Sequence, residues 1–158
     1  MKTISIGLCG LGTVGAGVIN VWQRNRREIA LRSGVDIDIV AVGARRDNAA
    51  CDTSGLSVVR DIFDVTRLPE GEVVVELIGG TDTAKELVLA AIEQGKHVVT
   101  ANKALLATHG EEILERAEKA GVTVKFEAAV AGGIPIIKAL TEGLSGNTIN
   151  SIAGIING

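Results

Sequence analysis

Three glycines near the N-terminus stand at the spacing of a phosphate-binding turn. They follow the apolar run TISIGLC and precede a helical pattern, within the six residues Gly10, Leu11, Gly12, Thr13, Val14 and Gly15. In a strand–turn–helix unit with the pattern G-x-G-x-x-G, the first glycine permits a tight turn and the second lets a diphosphate approach the main chain. The third allows the helix to pack closely against the strand. The start of the helix offers free N–H groups and a positive dipole end to phosphate. We therefore predict that these six residues bind the diphosphate of a dinucleotide, the alternative being a glycine turn used only for packing.

A second chemical signal follows the apolar run VDIDIVAVG, where Ala44, Arg45 and Arg46 come next. A site selective for NAD has a carboxylate here, which accepts hydrogen bonds from the ribose hydroxyls. Asp36 and Asp38 lie too early in the run for that role. A guanidinium can instead pair with a 2′-phosphate through two hydrogen bonds. We therefore predict NADP as the cofactor and NAD as the alternative, with Ala44, Arg45 and Arg46 at its adenosine end, unless the two arginines are simply solvated.

Apolar runs that alternate with helical patterns predict the elements that position these residues. Such alternation indicates right-handed βαβ units and a parallel sheet. We therefore predict an α/β protein with a Rossmann-type doubly wound parallel sheet. Strands are predicted at 3–9, 35–44, 72–79, 96–102, 122–130 and 147–158, helices at 13–32, 81–95, 103–120 and 134–144, and a short strand and helix within 45–70.

Two of the helical patterns contain an interruption. Asn25 and Glu28 have the spacing of a capping box, which would divide the first helix in two. His109 and Gly110 interrupt the pattern of 103–120, because glycine disfavours a helix interior. We expect a break at each place.

Composition limits the classes of function. The chain has 158 residues, 46% of them hydrophobic and only 2% aromatic, so one domain can form a core of Val, Ile, Leu and Ala, as in a parallel sheet buried on both faces. The net charge of −3 argues against binding to nucleic acid or acidic membranes, and no apolar run approaches the length of a membrane span. Cys9 and Cys51 lack a metal-binding spacing. We expect a cytoplasmic protein with reduced thiols and a small-molecule partner.

Three further segments resemble the homoserine dehydrogenase family. They are VVVELIGGTDTA, HVVTANKALLA and FEAAVAGGIPII, and TANKALLA (100–107) is the most specific of them. The resemblance covers essentially the whole chain, as the N-terminal nucleotide-binding half of such an enzyme, and GIING (154–158) is also similar. It implies reversible hydride transfer between L-homoserine and L-aspartate 4-semialdehyde with NAD(P), in the biosynthesis of threonine, methionine and isoleucine.

The resemblance also implies how the chain is organised. Family members continue after GIING into a substrate and dimerisation domain. We therefore expect residues 1–146 to form the dinucleotide-binding domain and residues 147–158 to begin a second domain, in an enzyme that is a homo-oligomer at full length. This segment is then expected to bind cofactor without turning over substrate. A stand-alone module that senses NAD(P), and another semialdehyde-handling reductase, are the competing hypotheses, because a fold alone does not fix a substrate.

The same resemblance assigns residues to the nicotinamide end of the cofactor. It places Gly79 and Gly80 in the loop after the fourth strand of the family, and Thr100 and Lys103 at the nicotinamide. Lys103 would stabilise the developing alkoxide or pass a proton, as the catalytic residue of this chain. The alternative is an ordinary lysine in the first turn of a helix, where the helix dipole disfavours a positive charge.

A sodium ion is the last feature that the resemblance implies. Its ligands would be the Glu127 carboxylate and the carbonyl oxygens of Val130, Gly132 and Ile134. A hard cation prefers oxygen ligands, and a glycine-rich turn can direct carbonyl groups inward. The alternative is that Glu127 caps the helix that starts near Ile134.

Overall fold

The structure, a computed structural model, describes residues 1–155 as an α/β fold around a six-stranded sheet. Every strand pair is parallel, and the order β3-β2-β1-β4-β5-β6 reverses direction between β1 and β4. The strands are β1 Lys2–Cys9, β2 Val35–Gly43, β3 Val58–Val59, β4 Val73–Glu76, β5 His97–Thr100 and β6 Val124–Lys125. The helices are α1 Thr13–Ser33, α2 Ile62–Arg67, α3 Asp82–Glu93, α4 Lys103–Ala120 and α5 Ile136–Lys138. The predicted fold class is confirmed, and the carboxyl ends of β1 and β4 form the position at which such sheets bind ligands.

Two apolar clusters hold the helices against the sheet. One joins α1 to β1 and β2 through buried side chains such as Leu8, Ile19 and Val42. The other brings α2, α3 and α4 together with the strands, around Leu87 and Leu105. The buried apolar residues are mainly Leu, Ile, Val and Ala, as the composition predicts. Within the described residues, no helix is long and apolar enough to span a membrane.

The two predicted helix breaks are wrong, because tertiary packing overrides the local signals. Helix α1 is continuous from Thr13 to Ser33. Trp22, which lies three residues before the predicted cap at Asn25, ties this part of the helix to β2, because its indole nitrogen donates a 2.8 Å hydrogen bond to the carbonyl of Ile37. Helix α4 is continuous through Gly110, where a Cβ atom would make only ordinary contacts. Both helices end instead at a glycine in the left-handed conformation, Gly34 and Gly121.

The predictions are poorest toward the C-terminus. The strand expected at 122–130 is only β6, followed by a 3₁₀ turn at Glu127–Ala129, and the helix expected at 134–144 is α5 with a π-helical turn at Ala139–Gly143. Residues 147–155 of the strand expected at 147–158 form no regular element, since none of the described strands pairs with them. The rest of that prediction, 156–158, lies outside the described residues. The predicted domain boundary after residue 146 stays a prediction.

Candidate functional site

Two glycines of the N-terminal turn are required by the fold itself. Gly10 has a φ of +105°, and a Cβ atom on it would lie 2.6 Å from the carbonyl oxygen of Leu77. Its N–H donates a 2.8 Å hydrogen bond to the carbonyl of Gly43, so the turn is held between β2 and the loop after β4. A Cβ atom on Gly15 would lie 2.0 Å from the carbonyl oxygen of Gly10. Since both neighbours are main-chain atoms, a side chain at Gly10 or Gly15 would displace the turn.

Gly12 is different, because nothing within the described residues 1–155 requires a glycine there. Its φ is −77°, which any residue adopts, and a Cβ atom on it would meet no atom within 4 Å. It is exposed and directly precedes α1. Because Gly12 has no side chain, the N–H groups of the first helical turn stay accessible from the solvent.

The start of α1 is also without the features that usually neutralise a helix N-terminus. In the part of the chain that the structure describes, no side chain caps it, and its first turn has no acidic residue. By contrast, Asp61 caps α2 and Asn102 caps α4, each by accepting a main-chain N–H bond, and Asp82 lies in the first turn of α3. The first N–H groups of a helix have no partner inside it, so the turn at 10–15 offers donors and a positive dipole end to an anion. Thr13 and Val14 are exposed beside it, whereas Leu11 is buried.

The carboxyl end of β2 carries positive charge. Ala44 is buried, and Arg45 and Arg46 are exposed, as expected of residues that follow the strand. Arg60, which the sequence analysis missed, donates to the carbonyl of Ala44 at 3.2 Å and to the Asp47 carboxylate at 2.8 Å. Arg60 reaches this edge because β3 pairs with β2, a pairing that the irregular segment 45–70 does not reveal.

The two aspartates of β2 lie near its start and are engaged elsewhere. Arg26 Nη2 lies 2.7 Å from Asp36 Oδ2 and 3.2 Å from Asp38 Oδ1, and its guanidinium lies 5.0 Å from the centre of the Trp22 ring. The hydrogen bond from Arg26 holds the pKa of Asp36 below its usual value. Neither aspartate therefore faces the glycine turn, as the sequence analysis expected.

Asn48 anchors the glycine turn from the loop that follows β2. Its Nδ2 donates a 2.9 Å hydrogen bond to the carbonyl of Leu11, and its Oδ1 accepts one from the N–H of Ala50. Asn20 and Gln23 of α1 bind the same loop through the carbonyls of Ala50 and Asp52. No sequence pattern marks Asn48, since asparagine is common in any loop.

A hydrogen-bonded network lies at the carboxyl ends of β4 and β5. Glu76 has no exposed surface, and its Oε1 accepts a 2.9 Å bond from the N–H of Ile78 while its Oε2 accepts a 2.5 Å bond from the hydroxyl of Thr100. The same hydroxyl oxygen accepts a 3.0 Å bond from the N–H of Asn102. The sequence signal for this network is the single acid within the apolar run VVVELI. A glutamate is almost never fully buried without a partner, so an acid in a buried strand indicates that partners lie nearby.

Asn102, the residue before Lys103, extends this network to the start of α4. Its Nδ2 donates a 2.6 Å bond to the carbonyl of Gly80, and its Oδ1 caps α4 through the N–H of Leu105. Lys103 is the first residue of α4 and is exposed. Gly79 and Gly80 both have a φ of +72°. The structure thus brings Gly79, Gly80, Thr100 and Lys103 to one edge of the sheet.

Cys9 lies beside Glu76 and is not a nucleophile. The thiol is fully buried at the end of β1. Burial, and then the negative charge of Glu76, raise its pKa to about 12. The thiol is therefore neutral at physiological pH, and Cys9 and Cys51 are both free of disulfides.

Glu127 acts as a cap in this structure. Its Oε1 and Oε2 accept bonds of 2.9 and 2.8 Å from the N–H groups of Ile137 and Lys138. The carbonyl of Ile134 accepts a 2.8 Å bond from the N–H of Ile136. Val130 and Gly132 lie in the turn between Glu127 and α5, as expected of them. Within residues 1–155, no group of three or more His, Cys, Asp or Glu side chains could hold a metal ion, so the sodium site, which relies on carbonyl oxygens, stays a prediction.

Sequence comparison relates the chain to known enzymes. The family model described as "Homoserine dehydrogenase, NAD binding domain" matches residues 10–127. The chain is 61% identical to the homoserine dehydrogenase of Pseudomonas aeruginosa over all of its 158 residues, which are 36% of that relative. It is 55% identical to the homoserine dehydrogenase of Neisseria gonorrhoeae, again over its whole length and 37% of the relative. It therefore spans little more than a third of the relatives that it matches.

Solved structures give the same relationship. The crystal structure of a homoserine dehydrogenase from Thiobacillus denitrificans superimposes with a TM-score of 0.86 and 53% identity, over 93% of this chain and 34% of that one. A hyperthermophilic archaeal homoserine dehydrogenase, solved in complex with NADPH, superimposes with a TM-score of 0.74 and 22% identity, over 92% of this chain and 50% of that one. The second likeness is one of fold alone.

Proposed function

This chain belongs to the homoserine dehydrogenase family as its NAD-binding domain, and on that premise we propose that it holds NADP(H) for the hydride transfer of a longer enzyme. The reaction is the reversible conversion of L-homoserine to L-aspartate 4-semialdehyde, in the biosynthesis of threonine, methionine and isoleucine. The enzyme is a cytoplasmic homo-oligomer whose remaining part binds the substrate. The observation that carries the proposal is the open start of α1 at Gly12.

The diphosphate is held by the turn of residues 10–15. Gly10 and Gly15 shape the turn, and Gly12 leaves the space through which the phosphates approach the first N–H groups of α1. No acidic side chain in that turn opposes the negative charge of the ligand. Leu11, Thr13 and Val14 contribute main-chain and apolar contacts.

The 2′-phosphate of NADP is bound at the end of β2. Ala44 would line the adenosine end of the site, and Arg45 and Arg46 would pair with the phosphate. Asp47, the nearest carboxylate after these residues in the chain, is 2.8 Å from Arg60 Nη2, which reduces its repulsion of a phosphate. Positive charge therefore dominates this edge, which supports NADP over NAD.

Arg45→Glu tests this assignment. We expect the variant to lose its preference for NADPH over NADH by about 1–3 kcal/mol, the scale of a lost charge-assisted hydrogen bond. The measurement is the ratio of the two dissociation constants, obtained by titration of the 158-residue chain. Arg27→Glu is the matched control, because Arg27 is exposed on α1 and about 20 Å along the helix from its start. Equal ratios in the two variants would remove Arg45 from the site.

The nicotinamide lies at the ends of β4 and β5. Gly79 and Gly80 allow the loop after β4 to follow the cofactor, and Thr100 fixes the end of β5. Lys103 would stabilise negative charge on the reacting oxygen of the substrate or pass a proton to it. Its position at the carboxyl ends of parallel strands, where this type of sheet places its ligands, supports that role.

A sodium ion is held by the Glu127 carboxylate and by the carbonyl oxygens of Val130, Gly132 and Ile134. This donor set fits a hard cation, and each Glu127 oxygen keeps a second lone pair beside the N–H bond that it accepts. The ion would supply a fixed positive charge that orders the turn before α5.

Thermal unfolding in NaCl and in choline chloride of equal ionic strength tests the sodium site. Because an ion that binds only the folded state stabilises it by mass action, we expect a higher midpoint in NaCl. Glu127→Gln should remove the difference. Identical midpoints for the unmodified chain in the two salts would contradict the site.

A further inference from the structure

Glu76 occupies a position where an apolar side chain would be the simpler choice. It has no exposed surface and lies at the end of β4, beside the buried Cys9. Burying a carboxylate is costly unless it is hydrogen-bonded, and a well-packed apolar residue at such a place is often as stable or more so. Places where a sequence departs from the simplest local choice are frequently functional. The contacts of Glu76 show what this residue does.

Each oxygen of Glu76 holds a different part of the proposed cofactor site. Oε1 binds the N–H of Ile78, in the loop that also forms the wall against Gly10. Oε2 binds the hydroxyl of Thr100, and the oxygen of that hydroxyl binds the N–H of Asn102. Asn102 in turn caps the helix that starts with Lys103.

A further hydrogen bond of the network returns from the start of α4 to the loop after β4. Asn102 Nδ2 donates to the carbonyl of Gly80, at the far end of the loop that Glu76 holds through Ile78. The loop after β4 and the start of α4 are therefore fixed relative to each other. In the described residues, this chain of bonds joins the wall of the glycine turn to Asn102, the residue before Lys103, through a carboxylate that has no exposed surface.

We propose that Glu76 is a positioning residue that acts through Thr100 and Asn102 to set the nicotinamide half of the cofactor site. This proposal rests on the proposed function, since it presumes that a dinucleotide occupies the site. Thr100 is 1% exposed and its hydroxyl is engaged with Glu76, so it too acts through its neighbours. The adenosine half depends on other residues, at the end of β2.

A comparison of NADPH with a ligand that lacks the nicotinamide distinguishes this positioning role from a merely structural one. NADPH spans the whole site, whereas 2′,5′-ADP has the adenosine, the 2′-phosphate and one 5′-phosphate, but lacks the second phosphate, the second ribose and the nicotinamide. We expect Thr100→Val to weaken NADPH binding about tenfold, the scale of one lost buried hydrogen bond, and to change 2′,5′-ADP binding less than about twofold. Thr100→Ser, which keeps the hydroxyl, should restore NADPH binding.

Two further variants complete the experiment. Thr108→Val is the matched control, because Thr108 is exposed on α4 and, among the described residues, its hydroxyl bonds only to carbonyls of its own helix. Glu76→Gln keeps an acceptor for the N–H of Ile78 and can donate to the Thr100 oxygen, so it should fold and show a smaller loss that is again confined to NADPH. This variant decides the question if Thr100→Val fails to fold.

The possible results distinguish the two proposals. A loss confined to NADPH, with rescue by serine, supports the role of Glu76. Equal losses for NADPH and 2′,5′-ADP, or no loss for either, overturn it while leaving the proposed function intact. If the unmodified chain binds neither ligand, the proposed function fails and this inference fails with it.

Discussion

Replacing Gly12 with valine is expected to raise the dissociation constant for NADPH about 100-fold, which corresponds to about 2.7 kcal/mol. The valine side chain would occupy the space through which the diphosphate approaches the first N–H groups of α1. The fold should tolerate the change, because the φ of −77° suits any residue and a Cβ atom meets nothing within 4 Å. The measurement is a titration of the chain with NADPH, combined with denaturant unfolding.

Gly17→Val is the matched control for this variant. Gly17 is also exposed, and a Cβ atom on it would also meet nothing within 4 Å, but it lies more than a turn inside α1 and not at its start. We expect NADPH binding to be unchanged in Gly17→Val, and the free energy of unfolding of Gly12→Val to fall by no more than about 1 kcal/mol, as for a poor residue at a helix cap. Equal NADPH affinity in the two variants would contradict the assignment of the turn.

Gly10 and Gly15 cannot replace Gly12 in this test. A Cβ atom at either would come within 2.6 Å of a main-chain oxygen. Any loss of binding would then follow from the displaced turn, and it would not identify the ligand. Gly12 is informative because no atom of residues 1–155 lies within 4 Å of a Cβ atom placed on it.

Lys103→Met is expected to lower kcat of the complete enzyme about 10²- to 10⁴-fold, the usual contribution of a group that moves a proton or stabilises charge in the transition state. Lys103 makes no ion pair in the part of the chain that the structure describes. A cation in the first turn of a helix is mildly unfavourable, so stability gives no reason for a lysine there. The affinity for NADPH should change less than about threefold.

The measurement is steady-state oxidation of L-homoserine by the full-length protein. Lys119→Met is the control, since it makes the same change in the last turn of the same helix, where Lys119 pairs with Glu115 at 2.6 Å. We expect that control to keep its kcat. If Lys103→Met retained kcat within about twofold, Lys103 would have no part in the chemistry.

The parts of the fold that follow local patterns could be predicted from the sequence. The glycine turn, the apolar strands and the amphipathic helices each leave a signal within a few residues, and together they indicate a parallel sheet with a Rossmann-type turn. The continuity of α1 and α4 was missed because it depends on contacts such as that of Trp22 with β2. A strand was wrongly predicted at residues 147–155, because an apolar run forms a strand only where a neighbouring strand supplies hydrogen bonds.

Residue spacing alone predicted the candidate site only where its residues lie in one segment, whereas Gly79, Gly80, Thr100 and Lys103 were predicted from the family resemblance. Residues 10–15 and the pair Arg45 and Arg46 could be named from their spacing. Arg60 and Asn48 reach the site through strand order and loop packing, which no local pattern contains. Glu76 was visible as an acid in an apolar strand, but its role depends on Thr100, which the pairing of β4 with β5 brings opposite it.

A diphosphate that lies against the main chain where α1 begins can be detected by amide NMR during titration of the chain with NADPH. We expect the amide signals of Gly12, Thr13 and Val14 to shift most and to saturate together with binding. If NADPH binds while these three signals stay in place and the shifts lie elsewhere in the chain, the start of α1 is not the site.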